Sequence, residues 1–235
     1  MKTLIVTTLF AAAAGSLLAA DVKADLEAAA KKLGDKANYS WTAKTESSGP
    51  AEGDRDGKTE KGGYSVLNFA MRDTQGQAVF KGDKGVVKAG ESWQTLESLA
   101  DNEDQENRRM RFMARRLQQF KPPHAEAEAL VKYVKELKKD DDGVYSGDLT
   151  AEGLRETFRA FRRGNDQSPD TSGLRSRVKF WVKDGALAKY SNHIEGSMKF
   201  GDNDVDIDRT TTTEIKDVGS TKVTVPEEAK KKLSS

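Results

Sequence analysis

Two spacings divide this chain. Toward both ends apolar residues recur at every second position, and in the middle they recur at every third or fourth. Residues 39–45 alternate Tyr39, Trp41 and Ala43 against Ser40, Thr42 and Lys44, which predicts a half-buried strand. Residues 63–72 (GYSVLNFAMR) predict a second strand, ended by the turn Asp73-Thr74-Gln75-Gly76. Between these two, residues 46–63 are rich in Gly, Ser, Asp and Lys and read as a loop. Ala78-Val79-Phe80 and Val86-Val87-Lys88 predict short strands joined by Gly82-Asp83-Lys84-Gly85. Near the other end, residues 177–183 alternate Val178, Phe180 and Val182 with Arg177, Lys179, Trp181 and Lys183. Asp184-Gly185 is a hairpin turn. Residues 187–200 run back, residues 201–204 turn again, and residues 205–215 return with Val205, Ile207, Thr211, Thr213 and Ile215 at alternate places. A last strand is expected at 222–225, before Pro226 and the helix-like tail EEAKKKL.

Helical spacing governs the rest. Residues 21–33 place Val22, Leu26, Ala29, Ala30 and Leu33 on one face, and Gly34 ends that helix. Residues 93–120 carry Leu96 and Leu99, then Met110, Met113, Leu117 and Phe120. The polar run 101–109 between them allows two helices. Pro122-Pro123 breaks the chain. Residues 125–139 follow as a helix with Leu130, Val131, Val134 and Leu137 as its stripe, and Thr150 is the N-cap of another with Leu154, Phe158 and Phe161 on one side. The order helix, strands, helices, strands predicts a single α+β domain in which an antiparallel sheet wraps against helices, with residues 93–163 as a helical insert.

The first twenty residues, MKTLIVTTLFAAAAGSLLAA, hold one charge, Lys2, then an apolar run and small residues. This is the pattern of a secretory signal peptide over residues 1–20, cut after Ala20, and it places the mature chain 21–235 in a periplasm or outside the cell. An uncleaved anchor is the alternative, but the stretch is short and alanine-rich for one. Composition narrows the function classes. Hydrophobic residues make up 36% and charged residues 33% of 235, which excludes a polytopic membrane protein. The 39 basic and 38 acidic residues leave a net charge of +1, which argues against a strong electrostatic drive toward nucleic acid. With no cysteine, disulfides, thiolate catalysis, cysteine-ligated zinc and lipidation at a cysteine are all excluded, and stability must come from the core.

The segment VKFWVKDGALAKYSNHIEGS, the Thr-rich strand after it, and TEIKDVGSTKVTVPEEAKKKL together resemble the C-terminal meander of the lipoprotein localisation factor superfamily. The closing pattern is Ile215-x-Asp217-Val218-Gly219, then Val223-x-Val225-Pro226-x-x-Ala229. The stretch DLEAAAKKLGDKANYSWTAKTE and the KGDKGVVKAGESW block are similar too. The resemblance covers about two-thirds of the chain. It implies an open antiparallel half-barrel whose concave face, lidded by helices, holds acyl chains. It carries over no functional residue, and the helical middle here is longer and more charged than in the carrier.

Several constellations invite chemistry. Arg108, Arg109, Arg111, Arg115 and Arg116 could grip a lipid headgroup or another anion, since Arg binds phosphate and carboxylate bidentately; a solvated helix face is the simpler reading. Met110, Met113, Leu117 and Phe120 could line an adaptable groove or simply pack on the sheet. Asp202, Asp204, Asp206 and Asp208 fail as a calcium loop, because Ile207 and Thr213 stand where glycine and glutamate are needed. Asp54-Arg55-Asp56-Gly57-Lys58-Thr59 fails both as a calcium loop and as a phosphate loop, and reads as a mobile loop. His124 and His193 have no carboxylate spacing that suggests a metal pair, and no GxSxG, HExxH or SxxK stretch occurs. The expectation is therefore a non-enzymatic exported protein without cofactor or metal, which binds a hydrophobic or amphipathic ligand such as lipid or lipoprotein acyl chains. Alternation and stripe nominate Leu67, Phe69, Met71, Met110, Met113, Val178, Phe180 and Val182 as its lining. The rival expectation is an envelope interaction or structural protein on the same fold, its core filled by side chains and its charged helices docking a protein partner.

Overall fold

The computed structural model describes residues 12–48, 53–71, 74–101, 108–159, 169–200 and 203–234. Helix α1 (Ala12–Gly34) leads into β1 (Asn38–Ser47). Five strands then step away from β1: β2 (Arg55–Glu60), β3 (Tyr64–Met71), β4 (Thr74–Lys81), β5 (Lys84–Ala89) and β6 (Ser92–Thr95). The chain next runs through α2 (Leu96–Ala100), α3 (Arg108–Leu117) and α4 (Pro123–Tyr133). It re-enters the sheet at the opposite edge as β7 (Val134–Lys139) and steps inward through β8 (Val144–Leu149), α5 (Ala151–Thr157), β9 (Leu174–Lys183), β10 (Ala186–Phe200) and β11 (Asn203–Lys216), ending in α6 (Glu227–Ser234). Among the described residues, eleven strands form one sheet in the order β6-β5-β4-β3-β2-β1-β11-β10-β9-β8-β7. Every pairing is antiparallel, and β6 and β7 are its two unjoined edges. This is the expected open α+β half-barrel.

Two meanders share this sheet, one running outward from β1 and one running inward to β11. The seam between them is the β1–β11 pair, in register from Ser40 opposite Lys216 to Ser47 opposite Arg209. The Asp184-Gly185 turn between β9 and β10 has positive φ at both residues, 53° and 71°, the geometry that matches the twist of the strands it joins.

The inner face carries the main core. Helix α1 lays Leu26, Ala30 and Leu33 on it, α2 adds Leu96 and Leu99, α3 adds Met113, Ala114 and Leu117, and α4 adds Ala127 and Val131. Each large aliphatic or aromatic side chain buried this way contributes about 1.5–3 kcal/mol. The strands meet these helices with rings that lie across glycines. Trp41 of β1 stands opposite Gly57 of β2, Phe69 of β3 opposite Gly76 of β4, and Phe80 of β4 opposite Gly85 of β5. A Cβ at Gly57 would come within 2.4 Å of the Trp41 ring, and one at Gly76 within 2.3 Å of the Phe69 ring. A smaller core lies on the outer face, where α6 and residues 223–225 pack Val225, Ala229 and Leu233 against Val66, Val79, Val86 and Trp93.

Four expectations are corrected. The loop expected at 46–63, with its mobile Asp54–Thr59 stretch, contains β2, paired with β1 and β3. Its buried positions are Gly57 and Thr59, residue types that give no hydrophobic alternation. The helix expected over 125–139 stops at Tyr133. Val134 turns extended, and β7 pairs with β8 from Val134 opposite Leu149 to Lys139 opposite Tyr145. Trp93 belongs to β6, and the helix after it starts at Leu96, where the Thr95 hydroxyl accepts from the Ser98 N–H at 3.2 Å. The middle segment is thus helical with strands at both ends. Residues 222–225 form no strand; they run extended onto the outer core. The Thr150 cap holds, accepting from the Gly153 N–H at 3.1 Å. Residues 102–107 of the polar run, Phe161 and the start of the expected signal peptide lie outside the described residues. The expected cut after Ala20 falls within α1, and no helix among the described residues is long and apolar enough to cross a membrane.

Because the Trp41 ring occupies the space beside Gly57, Gly57→Ala is expected to lower the unfolding free energy by about 1–3 kcal/mol, the cost of overpacking a filled core. Chemical denaturation reads this as an earlier midpoint at unchanged slope. A variant as stable as the parent would mean that the ring does not lie there in solution.

Candidate functional site

The inner face beneath the helices is where the expected lining residues fall. Leu67 and Phe69 are buried on β3, Val178 and Phe180 on β9, and Met113 on α3; Met110 and Val182 are partly buried against the same cluster. Met71 closes β3, and its side chain lies outside the described residues. Strands sit about 4.8 Å apart, so β3 and β9, five places apart, are separated by roughly 24 Å along the sheet. The expected lining is therefore two groups at two ends of one apolar surface. The β3 end is covered by α2, α3 and the α3–α4 connection. The β9 end is covered by α1.

Phe120, in that connection, plugs the β3 end. Its ring stacks on Phe80 at 4.3 Å and on Trp41 at 6.1 Å, both at 23°. Phe180 stacks on Tyr190 at 6.3 Å at the other end. Side chains thus fill the inner face at both ends.

Strand pairing sorts the inner face into rows, because directly opposed residues share a face. Trp41, Gly57, Leu67, Ala78 and Val87 make one apolar row. The next row runs Tyr190, Thr213, Ala43, Arg55, Phe69 and Gly76. Beyond it Asn192, Thr211 and Thr45 are polar, with the two threonine hydroxyls 3.3 Å apart. Arg209 follows on β11, its guanidinium 6.0 Å from the centre of the Phe158 ring. Along β1, β10 and β11 the face turns polar at Asn192, Thr211 and Thr45 and apolar again at the buried Ile194, and Arg55 stands in the row before this polar step.

Polar groups buried at this face are mostly matched. The Tyr190 hydroxyl donates to Glu126 Oε2 of α4 at 2.6 Å, and Ser176 donates to Asn192 Oδ1 at 2.6 Å. Burial and the neighbouring Glu126 carboxylate hold the Tyr190 hydroxyl protonated far above the usual tyrosine range. The Tyr39 hydroxyl meets His124 Nδ1 at 2.8 Å, a geometry in which a neutral imidazole accepts. Burial pushes the His124 imidazole below its ordinary value, against the pull of Glu128 and Asp35, and burial raises Tyr39 strongly. This pair ties the start of α4 to β1, with Gly34 at the end of α1 pressed so close that a Cβ there would meet the imidazole at 2.6 Å. Among the described residues, two buried donors have no partner: Trp41 Nε1 and Arg55 Nε. A buried donor left unpaired costs about 1–3 kcal/mol, more when charged.

The other sequence candidates separate. His193 lies on the outer face, with Nδ1 2.9 Å from the Thr210 hydroxyl, well away from His124. Among the described residues no group of His, Asp and Glu is placed to hold a metal. Arg109 and Arg115 are exposed on α3, and Arg115 donates to the Ala100 carbonyl at 3.4 Å; the Arg108 side chain lies outside the described residues. Trp181 is half-buried on the outer face under the Lys189 ammonium, 4.9 Å from the ring centre. Asp204, Asp206 and Asp208 are exposed along β11, the polar outer edge expected of a hairpin. An open groove of about 490 Å³ also lies on the outer side, between Trp93 and α6. Sequence reasoning missed Arg55, because its strand is nearly free of apolar residues, and missed the Tyr190–Glu126 contact, which joins residues 64 positions apart.

The His124 shift has a stability consequence. A base held below its unfolded value favours the folded state while it is neutral, so the contribution is present above about pH 6.5 and is lost as pH falls through the lowered folded value. The melting temperature should therefore fall as pH drops below 6.5, and His124→Gln should flatten that slope. Equal slopes in parent and variant would show that His124 stays hydrated.

No family model matches the sequence, and no curated protein matches it. Among solved structures, lipoprotein LppX from Mycobacterium tuberculosis is 12% identical, with a TM-score of 0.49 over 88% of this chain and 99% of its own. LprF from Mycobacterium bovis is 11% identical, with a TM-score of 0.42 over 89% and 98%. A LolA superfamily protein from Nitrosomonas europaea is 12% identical, with a TM-score of 0.32 over 88% and 95%. The chain is similar to these three over nearly nine-tenths of its length, at identities that concern fold alone.

Proposed function

We propose that this is an exported, periplasmic or secreted, non-enzymatic protein that binds a hydrophobic or amphipathic ligand, such as lipid or lipoprotein acyl chains, between the sheet and its helical cover. One observation carries the reading. The cover over the β3 end is thin and peripheral, a short α2, an α3 rich in arginine on its outer side, and the single wedge of Phe120, while the surface beneath is a continuous apolar row. Lifting α3 and the α3–α4 connection would open that row without breaking a strand pair. Leu67, Phe69, Met71, Met110, Met113, Val178, Phe180 and Val182 are then the proposed lining, the first five at the opening end. Export is supported by the charged start, apolar run and small residues of positions 1–20, and a mature chain would begin at Asp21.

A second reading is favoured by a different observation. The stack of Trp41, Phe120 and Phe80 leaves the inner face filled, as in a protein whose fold serves only to present its charged helices to an envelope partner.

Native mass spectrometry of the purified chain with added dodecanoate or phosphatidylglycerol separates the two. Uptake of at least one acyl ligand is expected, weakened about tenfold or more by Met113→Asp, because a carboxylate there would have to be desolvated against the acyl chain and repels both anionic headgroups. A chain that stays free of both ligands at every concentration would leave the scaffold reading.

A further inference from the structure

The two unpartnered donors found among the described residues lie on the same face of paired strands, β1 and β2. Trp41 is opposite Gly57, and the Cζ2–Cε2 edge of its indole lies across the bare backbone of that glycine. Arg55 is two residues along the same strand on the same face, between Ala43 and Phe69. Trp41 is 4% exposed, yet its Nε1 meets no acceptor, and neither does the buried Nε of Arg55. Glu126 accepts from the Tyr190 hydroxyl, and the Thr45 and Thr211 hydroxyls bond each other; neither bond reaches Trp41 Nε1 or Arg55 Nε. A protein that needed only a filled core could have placed Phe and Leu at these two positions without orphaning a donor.

From this geometry we infer a subsite for an oxygen acceptor: the Trp41 and Arg55 N–H groups hold the carboxylate or ester carbonyl of an amphipathic ligand whose chain lies along the apolar row. Position supports the assignment. Arg55 stands in the row before the polar step at Asn192, Thr211 and Thr45, so a ligand chain lying over Trp41 and Leu67 would bring its polar end to Arg55. Chemistry supports it as well. Both groups only donate, so they select acceptors and reject a bare hydrocarbon or a second donor. The positive charge of Arg55 strengthens the bond to an anionic or strongly polarised oxygen. The inference rests on the binding reading above and adds to it the class of group recognised.

The indole and guanidinium N–H signals of the ¹⁵N-labelled full chain test it directly. The Trp41 signal is identified by its loss in Trp41→Phe, which keeps an aromatic ring over Gly57, and the Arg55 Nε–H signal by its loss in Arg55→Met, which keeps the apolar stem. Dodecanoate, methyl dodecanoate and dodecane serve as probes. Both signals are expected to move downfield with an oxygen-bearing probe and to stay in place with dodecane. Movement with dodecanoate alone assigns a carboxylate, and movement with both oxygen-bearing probes assigns an ester carbonyl as sufficient. In Trp41→Phe and Arg55→Met, dodecanoate should bind about tenfold more weakly, as expected for a lost hydrogen bond to a charged group, while dodecane binding is kept. If other signals move with dodecanoate while these two stay still, the subsite is overturned and the binding reading survives. If no probe moves any signal, the binding reading falls and takes the subsite with it.

Discussion

An eleven-stranded sheet with one apolar face must cover that face, and the way this chain does so constrains everything above it. Trp41, Phe69 and Phe80 do not stand up from the sheet toward the helices; each lies over a glycine on the neighbouring strand. Lying flat, the rings form a shallow floor. A few short helices and one wedge ring suffice to cover it. If Gly57 carried a Cβ, the Trp41 ring would have to shift, and with it the ring on which Phe120 stacks. The height of the floor thus sets how close α3 and the α3–α4 connection can come.

The same constraint explains the order of the chain. The two meanders meet only at β1 and β11, and β1 brings Trp41 and Tyr39 to the middle of the sheet, where both α4 and the glycine floor can reach them. Tyr39 then anchors the start of α4 through His124, while Tyr190 on β10 anchors its first turn through Glu126. Helix α4 is held to the sheet at two buried polar points. Helix α3 brings Met113, Ala114 and Leu117 to the apolar core, Arg115 donates to the Ala100 carbonyl, and Phe120 stacks on Phe80 and Trp41. The two parts of the cover are divided at Pro122-Pro123, a boundary imposed by proline's fixed φ and missing N–H.

Much of this was legible in sequence wherever apolar residues mark the period. The strands built on Tyr39, Trp41 and Ala43, on Leu67 and Phe69, and on Val178 and Phe180 are present, as are the α1 face and the Thr150 cap. What escaped was written in other residue types. β2 pairs along Arg55 and Gly57 and has no apolar alternation, so it reads as loop, although its glycine is what the Trp41 ring requires. β7 continues the apolar spacing of α4, because Val134 and Leu137 fit a helical stripe as well as a strand, and only pairing with β8 decides between them. The site followed the same division. Its apolar lining was visible as alternation, but the placement of Arg55 beside Trp41 depends on the register of β2 against β1, which no local pattern encodes.

A filled inner face and a ligand-binding one need not exclude each other, and magnitudes decide how they compare. Withdrawing Met113, Leu117 and Phe120 from the floor gives up about 1.5–3 kcal/mol for each side chain. A saturated acyl chain of about twelve carbons regains about 0.8 kcal/mol per methylene, roughly 9 kcal/mol in all. The upper end of the first total, about 9 kcal/mol, matches the second, so the cover would act as a stand-in for the ligand, and the balance between them would be set by smaller terms. Hydrogen bonds to the two orphan donors are terms of that size. A bare hydrocarbon would exchange with the cover at little net gain. A ligand that also carries an acceptor oxygen to Trp41 and Arg55 would tip the balance toward the open, occupied face, so selectivity here would reside in one polar row beside an apolar floor.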